Sequence, residues 1–86
     1  MDAIIRTPAQ LGPVLKAARV ARGLTQADVA ARLGISTPAV SKLEAQAERA
    51  SFDRVHRLCL LLGLDIAIQP KHATGPNAVR EPDAGW

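Results

Sequence analysis

The residues able to bind a metal or act as nucleophiles are few in this sequence. His56 and Cys59 lie three positions apart, a spacing that would place an imidazole and a thiol on one helical face. Only His72 remains as a further ligand of this kind, so a packed thiol and a partly exposed imidazole are favoured over a four-ligand zinc site. No nucleophile–base pair with an orienting group, glycine-rich phosphate loop or enclosed carboxylate pair is recognisable. We therefore expect no catalytic activity, metal or cofactor.

Charge gives a first indication of the partner. The chain has 86 residues and a net charge of +3. The positive surplus lies in residues 1–24, which contain four cationic residues and one acidic residue, Asp2. A basic first helix suits contact with phosphates or an acidic partner, although a solvated helix face explains the same pattern. The longest apolar run, residues 58–62, is too short to cross a bilayer, so we expect a cytoplasmic protein without a membrane partner.

The first helix is predicted from its end signals. Residues 7–10 have the form of a capping box with proline at the first helical position, and Gly23 follows Arg22 as a stop signal. Pro13 lacks a backbone donor, so we expect either a kink there or a helix that starts near Gly12.

Three further helices are predicted from Ser or Thr caps followed by periodic apolar positions, with a polar connection at residues 45–50 before the last of them. Glycine closes two of these helices. The caps are Thr25, Ser36 and Ser51, the glycines are Gly34 and Gly63, and the expected inward residues are Val29, Ala30, Leu33, Val40, Leu43, Phe52, Val55, Leu58, Cys59 and Leu62.

The second and third helices are spaced as a helix-turn-helix. Two helices that cross closely need a small inner residue, here Ala30, and a turn residue that tolerates positive φ, here Gly34. The flanking apolar residues then fix both helices on one core. Such a pair presents the start of its second helix outward, where it can enter the major groove of DNA.

The pattern changes to that of a β-strand after the fourth helix. Apolar and other residues alternate from Leu64 to Gln69, and Pro70 ends the segment. A single strand cannot satisfy its own backbone groups, so its expected partner is the same strand of a second copy about a two-fold axis. The expected dimer contacts are Leu64, Ile66, Ala67 and Ile68.

We expect residues 1–70 to form the DNA-binding and dimerisation domain and residues 71–86 to form a flexible tail. The tail has little apolar content until Trp86, the one tryptophan in the chain. Chance or packing back onto the domain would explain that indole. The alternative hypothesis is that Trp86 binds a protein partner or serves as a handle for a protease.

Residues 24–44, LTQADVAARLGISTPAVSKLE, resemble the helix-turn-helix of the Xre/Cro family of phage and bacterial repressors. The resemblance implies an all-α, four- to five-helix lambda-repressor-like domain, to which this chain would add the intermolecular strand. The matching residues are Thr25, Gln26, Ala30, Gly34, Ile35, Ser36, Val40, Ser41 and Glu44.

The ends of the chain narrow the resemblance to HipB-type antitoxins, the small partners of HipA-like Ser/Thr kinase toxins. The supporting features are a leading Thr-Pro-x-Gln-Leu, a strand after the fourth helix and a terminal Trp. Pro13 and residues 36–39 depart from the family pattern, and the second departure puts any carry-over of operator sequence in doubt.

The resemblance and the helix geometry together assign candidate DNA contacts. In related repressors the counterpart of Gln26 grips a phosphate and braces the recognition helix. Ser36 suits a helix cap, with a DNA contact as the alternative, and Lys42 suits either a guanine or a phosphate. Glu44 is expected to brace the fold. The predicted DNA-binding residues are Arg22, Gln26, Ser36, Thr37, Pro38, Ala39, Ser41 and Lys42, while Arg19 and Arg49 are further candidates for backbone contacts, each with a solvated charge as the alternative.

Two functional hypotheses follow. The first is an antitoxin and autorepressor that binds a palindromic operator in double-stranded DNA as a homodimer and also binds a HipA-like kinase toxin. The second is a stand-alone Xre-type transcriptional regulator without a toxin partner.

Overall fold

The computed structural model describes residues 3–71, and within this range the chain forms four α-helices and two short 3-10 helices. None of the described helices is long and apolar enough to cross a membrane. The α-helices are α1 (Leu11–Ala21), α2 (Gln26–Leu33), α3 (Thr37–Ala45) and α4 (Phe52–Leu62), and the 3-10 helices span Pro8–Gln10 and Ala47–Arg49.

The predicted caps define the starts of α2, α3 and α4. The Thr25 hydroxyl accepts from the Asp28 N–H at 3.0 Å while the Asp28 carboxylate accepts from the Thr25 N–H at 2.8 Å, a reciprocal capping box. These bonds, led by the one from the Thr25 backbone, hold the pKa of Asp28 below its ordinary value. Ser36 and Ser51 accept from the backbone N–H of the third residue of their helices, each at 3.1 Å.

The start of the first helix follows the second of the two alternatives for Pro13. A 3-10 turn begins after Thr7, whose N–H donates to the Gln10 side chain at 3.1 Å, and α1 proper begins at Leu11. Pro13 therefore lies in the first turn of α1, where a backbone N–H has no partner within the helix. Its missing donor costs nothing there.

One core holds the four helices together, and the largest fully buried side chains are Leu15, Val29, Val40 and Leu58. The prediction for Phe52 is wrong: its side chain is 67% exposed and stacks on the ring of His56 with centroids 5.7 Å apart. As the first residue of α4 it precedes the turn that packs on the core. Apolar character alone does not identify such an end residue.

α1 approaches the end of α3 closely at Gly12. This glycine is buried, and a methyl group in its place would overlap the carbonyl oxygen of Glu44 and lie 3.8 Å from the Ala47 side chain. The absence of a side chain thus sets the distance between the two helices at this point.

The segment after α4 has no regular secondary structure between residues 64 and 70, and no strand is present anywhere in residues 3–71. Gly63, with φ of +72°, ends α4 as predicted. Leu64 is half-buried against the core, whereas Ile66 is 44% and Ile68 is 97% exposed. The structure describes a single chain, so pairing of this segment with a second copy stays a prediction.

Candidate nucleic-acid interface

The contact between α2 and α3 has the helix-turn-helix form expected from the sequence. Ala30 is buried at 4% exposure, and Gly34 adopts the left-handed conformation with φ of +72°. The N–H of Ile35 donates to the Ala30 carbonyl at 3.0 Å, which closes α2 and turns the chain toward α3. The two helices therefore meet as one rigid unit on a shared core.

α3 exposes one long face and buries the other. Val40, Leu43 and Glu44 lie inside, so the opposite face is available for contact with a partner. Ala39 is half-buried at the edge of that face. The predicted DNA-binding residues Ser36, Thr37, Pro38, Ser41 and Lys42 are all exposed.

A buried polar network ties α1, α2 and α3 together. The guanidinium of Arg19 donates to both Glu44 carboxylate oxygens, at 2.6 and 3.2 Å, and to the Leu24 carbonyl at 2.7 Å. The Gln26 amide donates to the same carboxylate at 3.1 Å, which holds Gln26 against α3 and leaves one amide hydrogen free. Glu44 thus braces the fold, as predicted.

Both predictions for Arg19, a contact to the DNA backbone or a solvated charge, are wrong, because its side chain is buried. Its side chain is 10% exposed, and two hydrogen bonds join its guanidinium to the Glu44 carboxylate, a bidentate pair that compensates for removing the charge from water. The sequence showed a cation on a basic helix but not the carboxylate 25 residues away that receives it.

Arg22 and Arg49 remain exposed. Arg22 donates to the Leu62 carbonyl at 3.2 Å, so its stem lies along the end of α4 while part of its guanidinium stays accessible. Arg49, in the second 3-10 helix, lies at a cleft that is rich in cations.

This cleft, called the basic cleft below, has a volume of about 360 Å³. It lies between the C-terminal half of α3, the second 3-10 helix and the first turns of α4. Its lining residues are Ala39, Lys42, Leu43, Gln46, Arg49, Ala50, Ser51, Asp53, Arg54 and Arg57.

Comparison with known proteins decides the family. The model of the helix-turn-helix family HTH_3 matches residues 15–69, more than half of the chain. The chain belongs to the helix-turn-helix family. It is a helix-turn-helix DNA-binding regulator of the Xre type. It resembles the antitoxin HipB of Escherichia coli O6:H1, with 26% identity over 82 residues. The match covers 95% of this chain and 87% of the relative.

A solved structure, a HipB–O1–O2 complex, has the same fold. It superposes with a TM-score of 0.72 at 24% identity and covers 79% of this chain and 99% of that chain. The all-helical helix-turn-helix architecture predicted from the sequence is therefore confirmed, apart from the strand.

Arg54 and Arg57 of this helix-turn-helix protein were not predicted as site residues. Both lie on α4, three residues apart, and the structure brings them to Lys42 and Arg49 from other elements. The i, i+3 spacing of the two arginines was the available signal, but their neighbours depend on where the fold places α4 relative to α3 and the second 3-10 helix.

The remaining predicted site residues differ in their exposure to solvent. Cys59 is buried, and burial raises the pKa of its thiol, while His56 is exposed on the same helix. Within residues 3–71 no group of three or more possible metal ligands comes together. Ala67 is exposed with Ile66 and Ile68, whereas Trp86 and the tail from residue 72 lie outside the described residues.

Proposed function

We propose that the protein binds a two-fold symmetric DNA site as a homodimer and represses transcription from it. The observation that carries this proposal is the exposed N-terminal face of α3, held in place by α2 and by the buried Arg19–Glu44–Gln26 network. An exposed helix on a rigid support is what major-groove recognition requires. Half-sites would then be separated by one helical turn, about 10 base pairs, or a multiple of it.

Individual residues take different parts in this interface. Thr37 and Pro38 offer a methyl group and ring carbons to a thymine methyl, Ser41 offers a hydroxyl, and Lys42 reaches a guanine or a phosphate. Gln26 directs its free amide hydrogen toward a backbone phosphate, and Ala39 marks the edge of the contact. Ser36 serves as a cap, and Arg22 adds a phosphate contact.

We further propose that the protein is the antitoxin of a toxin–antitoxin pair and binds a HipA-like Ser/Thr kinase toxin. The support is the similarity to the antitoxin HipB, which extends over 95% of this chain rather than over the helix-turn-helix alone. Trp86 is the proposed contact to that partner. The test is purification of the tagged full chain from its native host, with mass spectrometry of what accompanies it.

A kinase-like protein encoded next to this chain and retained in stoichiometric amount would support the antitoxin role. Matched purification of a Trp86→Ala variant tests whether the indole contributes. Recovery of the chain with DNA but without a protein partner would favour the second candidate, a stand-alone regulator, which the family match supports equally.

Substitutions on α3 should separate base contacts from phosphate contacts. We expect Thr37→Ala and Lys42→Ala each to weaken operator binding by about 1–3 kcal/mol while leaving unrelated duplex DNA less affected. Arg22→Ala should weaken both kinds of DNA alike. The measurement is fluorescence anisotropy with an operator selected from genomic fragments and a scrambled duplex.

Arg32→Ala is the matched control, because Arg32 is exposed on α2 and outside the proposed contacts. Equal losses on both duplexes for Lys42→Ala would place Lys42 among the phosphate contacts. Unchanged affinity in every α3 variant would remove α3 from the DNA interface.

Proline in the segment after α4 should disrupt dimerisation. Ala67→Pro removes a backbone donor that an intermolecular strand ladder would use, so sedimentation should show monomer and operator affinity should fall. Ala67→Val is the control, because it keeps the donor and favours a strand. If the Ala67→Pro variant remains dimeric, we would instead place the dimer interface on the helices, at the face of α4 near Leu61.

A further inference from the structure

Arg22 joins the ends of two helices across 40 residues of sequence. It is the C-cap residue of α1, and its Nη1 donates to the carbonyl oxygen of Leu62, the last residue of α4, at 3.2 Å. Carbonyls of the last helical turn have no partner within their own helix. Among residues 3–71 Arg22 is the donor that this carbonyl receives, so its guanidinium satisfies an acceptor that α4 leaves open.

The glycine that follows Leu62 provides space for this guanidinium. A methyl group at Gly63 would lie 2.8 Å from Nη1 and 3.7 Å from Cζ of Arg22. The missing side chain of Gly63 therefore allows the close approach, in addition to the positive φ that ends α4. A cation at this position also faces the negative end of the α4 helix dipole. The hydrogen bond, the available space and the charge all connect Arg22 to the end of α4.

The ends of α1 and α4 are closed in the same way. The N–H groups of Leu24 and Leu64, each just after a glycine of positive φ, donate to a carbonyl five residues earlier, at 3.2 and 2.8 Å. α2 begins at Gln26, soon after the first closure, and the segment at residues 64–70 follows the second. Arg22 therefore lies where the chain enters the helix-turn-helix and where the segment proposed for dimerisation leaves α4.

We propose that Arg22 is a positioning residue for operator binding. By holding the end of α4 it fixes the direction of the following segment relative to α2 and α3, and thereby the distance between the two α3 helices of a dimer. This inference rests on the proposed homodimer. At a fixed distance the second protomer meets its half-site without further ordering, so the pair binds more tightly.

The positioning role is separate from the phosphate contact proposed for the same side chain. A guanidinium has several N–H donors, of which the Leu62 carbonyl takes one, and Arg22 is exposed. The two roles make different predictions. Loss of a phosphate contact acts only in the complex with DNA, whereas loss of the contact to α4 also changes the free protein.

The first test uses no DNA. Amide hydrogen exchange followed by NMR reports local opening at the N–H groups of Gly63 and Leu64. In Arg22→Ala both should exchange about fivefold faster or more, because the end of α4 loses its charged donor. The N–H of Ile35, which closes α2, should keep its wild-type rate. Lys16→Ala is the matched control, since Lys16 is an exposed cation of α1 outside the basic cleft and the proposed DNA contacts.

The second test varies the length of the DNA, because both roles lower affinity for a long duplex. Fluorescence anisotropy compares an operator with both half-sites and a short duplex with one. If Arg22→Ala removes only a phosphate contact, the fold-loss on the full operator should equal the square of the fold-loss on the half-site, since each protomer loses one contact. The positioning role predicts a further loss of about tenfold on the full operator. Lys16→Ala should leave the ratio of the two affinities unchanged.

Faster exchange together with a full-operator loss beyond the square supports the proposal. A folded Arg22→Ala variant that sediments as a monomer supports it as well, because removal of a phosphate contact would leave the free protein dimeric. Wild-type exchange rates at the end of α4, or a loss equal to the square in a dimeric variant, would overturn it. Circular dichroism establishes that each variant is folded.

Failure of the proposed function has a different signature, which is visible in the wild type alone. Wild-type protein that binds both duplexes with equal affinity would contradict the homodimer on two half-sites, and the positioning role would fall with it. The exchange rates at Gly63 and Leu64 would still decide whether Arg22 holds the end of α4.

Discussion

Replacing Glu44 by alanine should lower the free energy of unfolding by about 3–5 kcal/mol, because it leaves the buried guanidinium of Arg19 without its counter-charge. The two side chains are only 10% and 4% exposed, so solvent cannot replace the lost partner without opening the core. A domain of this size has only about 5–15 kcal/mol of stability in total. Urea unfolding followed by circular dichroism measures the loss.

Replacing both members of the ion pair tests whether the destabilisation comes from a buried charge that has lost its partner. Arg19→Met with Glu44→Leu removes both ions together, so the double variant should be much more stable than Glu44→Ala and close to the wild type. Equal destabilisation of the single and double variants would show that the stabilisation comes from side-chain packing or from the Leu24 contact, and not from the ion pair. Glu44→Gln, which keeps oxygen and volume, should fall between the two.

The same variants test whether the network also serves DNA binding. Glu44 receives the Gln26 amide as well as Arg19, so the stable double variant should leave Gln26 without its anchor on α3. The Gln26 side chain would then sample several rotamers in the free protein. The entropy that it loses on binding a phosphate would weaken that contact. Reduced DNA affinity in a protein that remains stably folded would assign a positioning role to Glu44.

Helix limits were predictable from the sequence because the signals are local. Thr25, Ser36 and Ser51 cap their own helices, and Gly34 and Gly63 end them through a backbone conformation that glycine adopts at no cost. The inner faces of α2 and α3 followed from the same short-range periodicity. These features need no knowledge of how the helices pack.

Features that join distant segments were not predictable in the same way. The partner of Arg19 lies on α3, and the cations around Arg54 come from three elements. Phe52 has the apolar character of a core residue, but its position on the first turn of α4 leaves it outside. Pairing of the segment after α4 depends on a second chain, which neither local propensity nor a single-chain structure contains.

At Gly12, helix propensity and packing predict opposite changes in stability on substitution by alanine. Alanine is favoured over glycine inside a helix by about 0.8–1.0 kcal/mol, so on propensity alone Gly12→Ala would stabilise α1. The new methyl group would, however, overlap the Glu44 carbonyl oxygen, a backbone atom that cannot rotate away as a side chain would. Overpacking of this kind costs about 1–3 kcal/mol and occasionally more.

We therefore expect Gly12→Ala to destabilise the fold by up to about 2 kcal/mol, the overpacking cost less the gain in propensity, as measured by urea unfolding. Ala17→Gly, at an exposed position of the same helix, measures the propensity contribution by itself. A stabilised Gly12→Ala variant would mean that α1 and α3 separate without cost. If the separation instead costs free energy, the displaced end of α3 should shift Lys42 and the network at Glu44, and DNA affinity should fall in the folded protein as well.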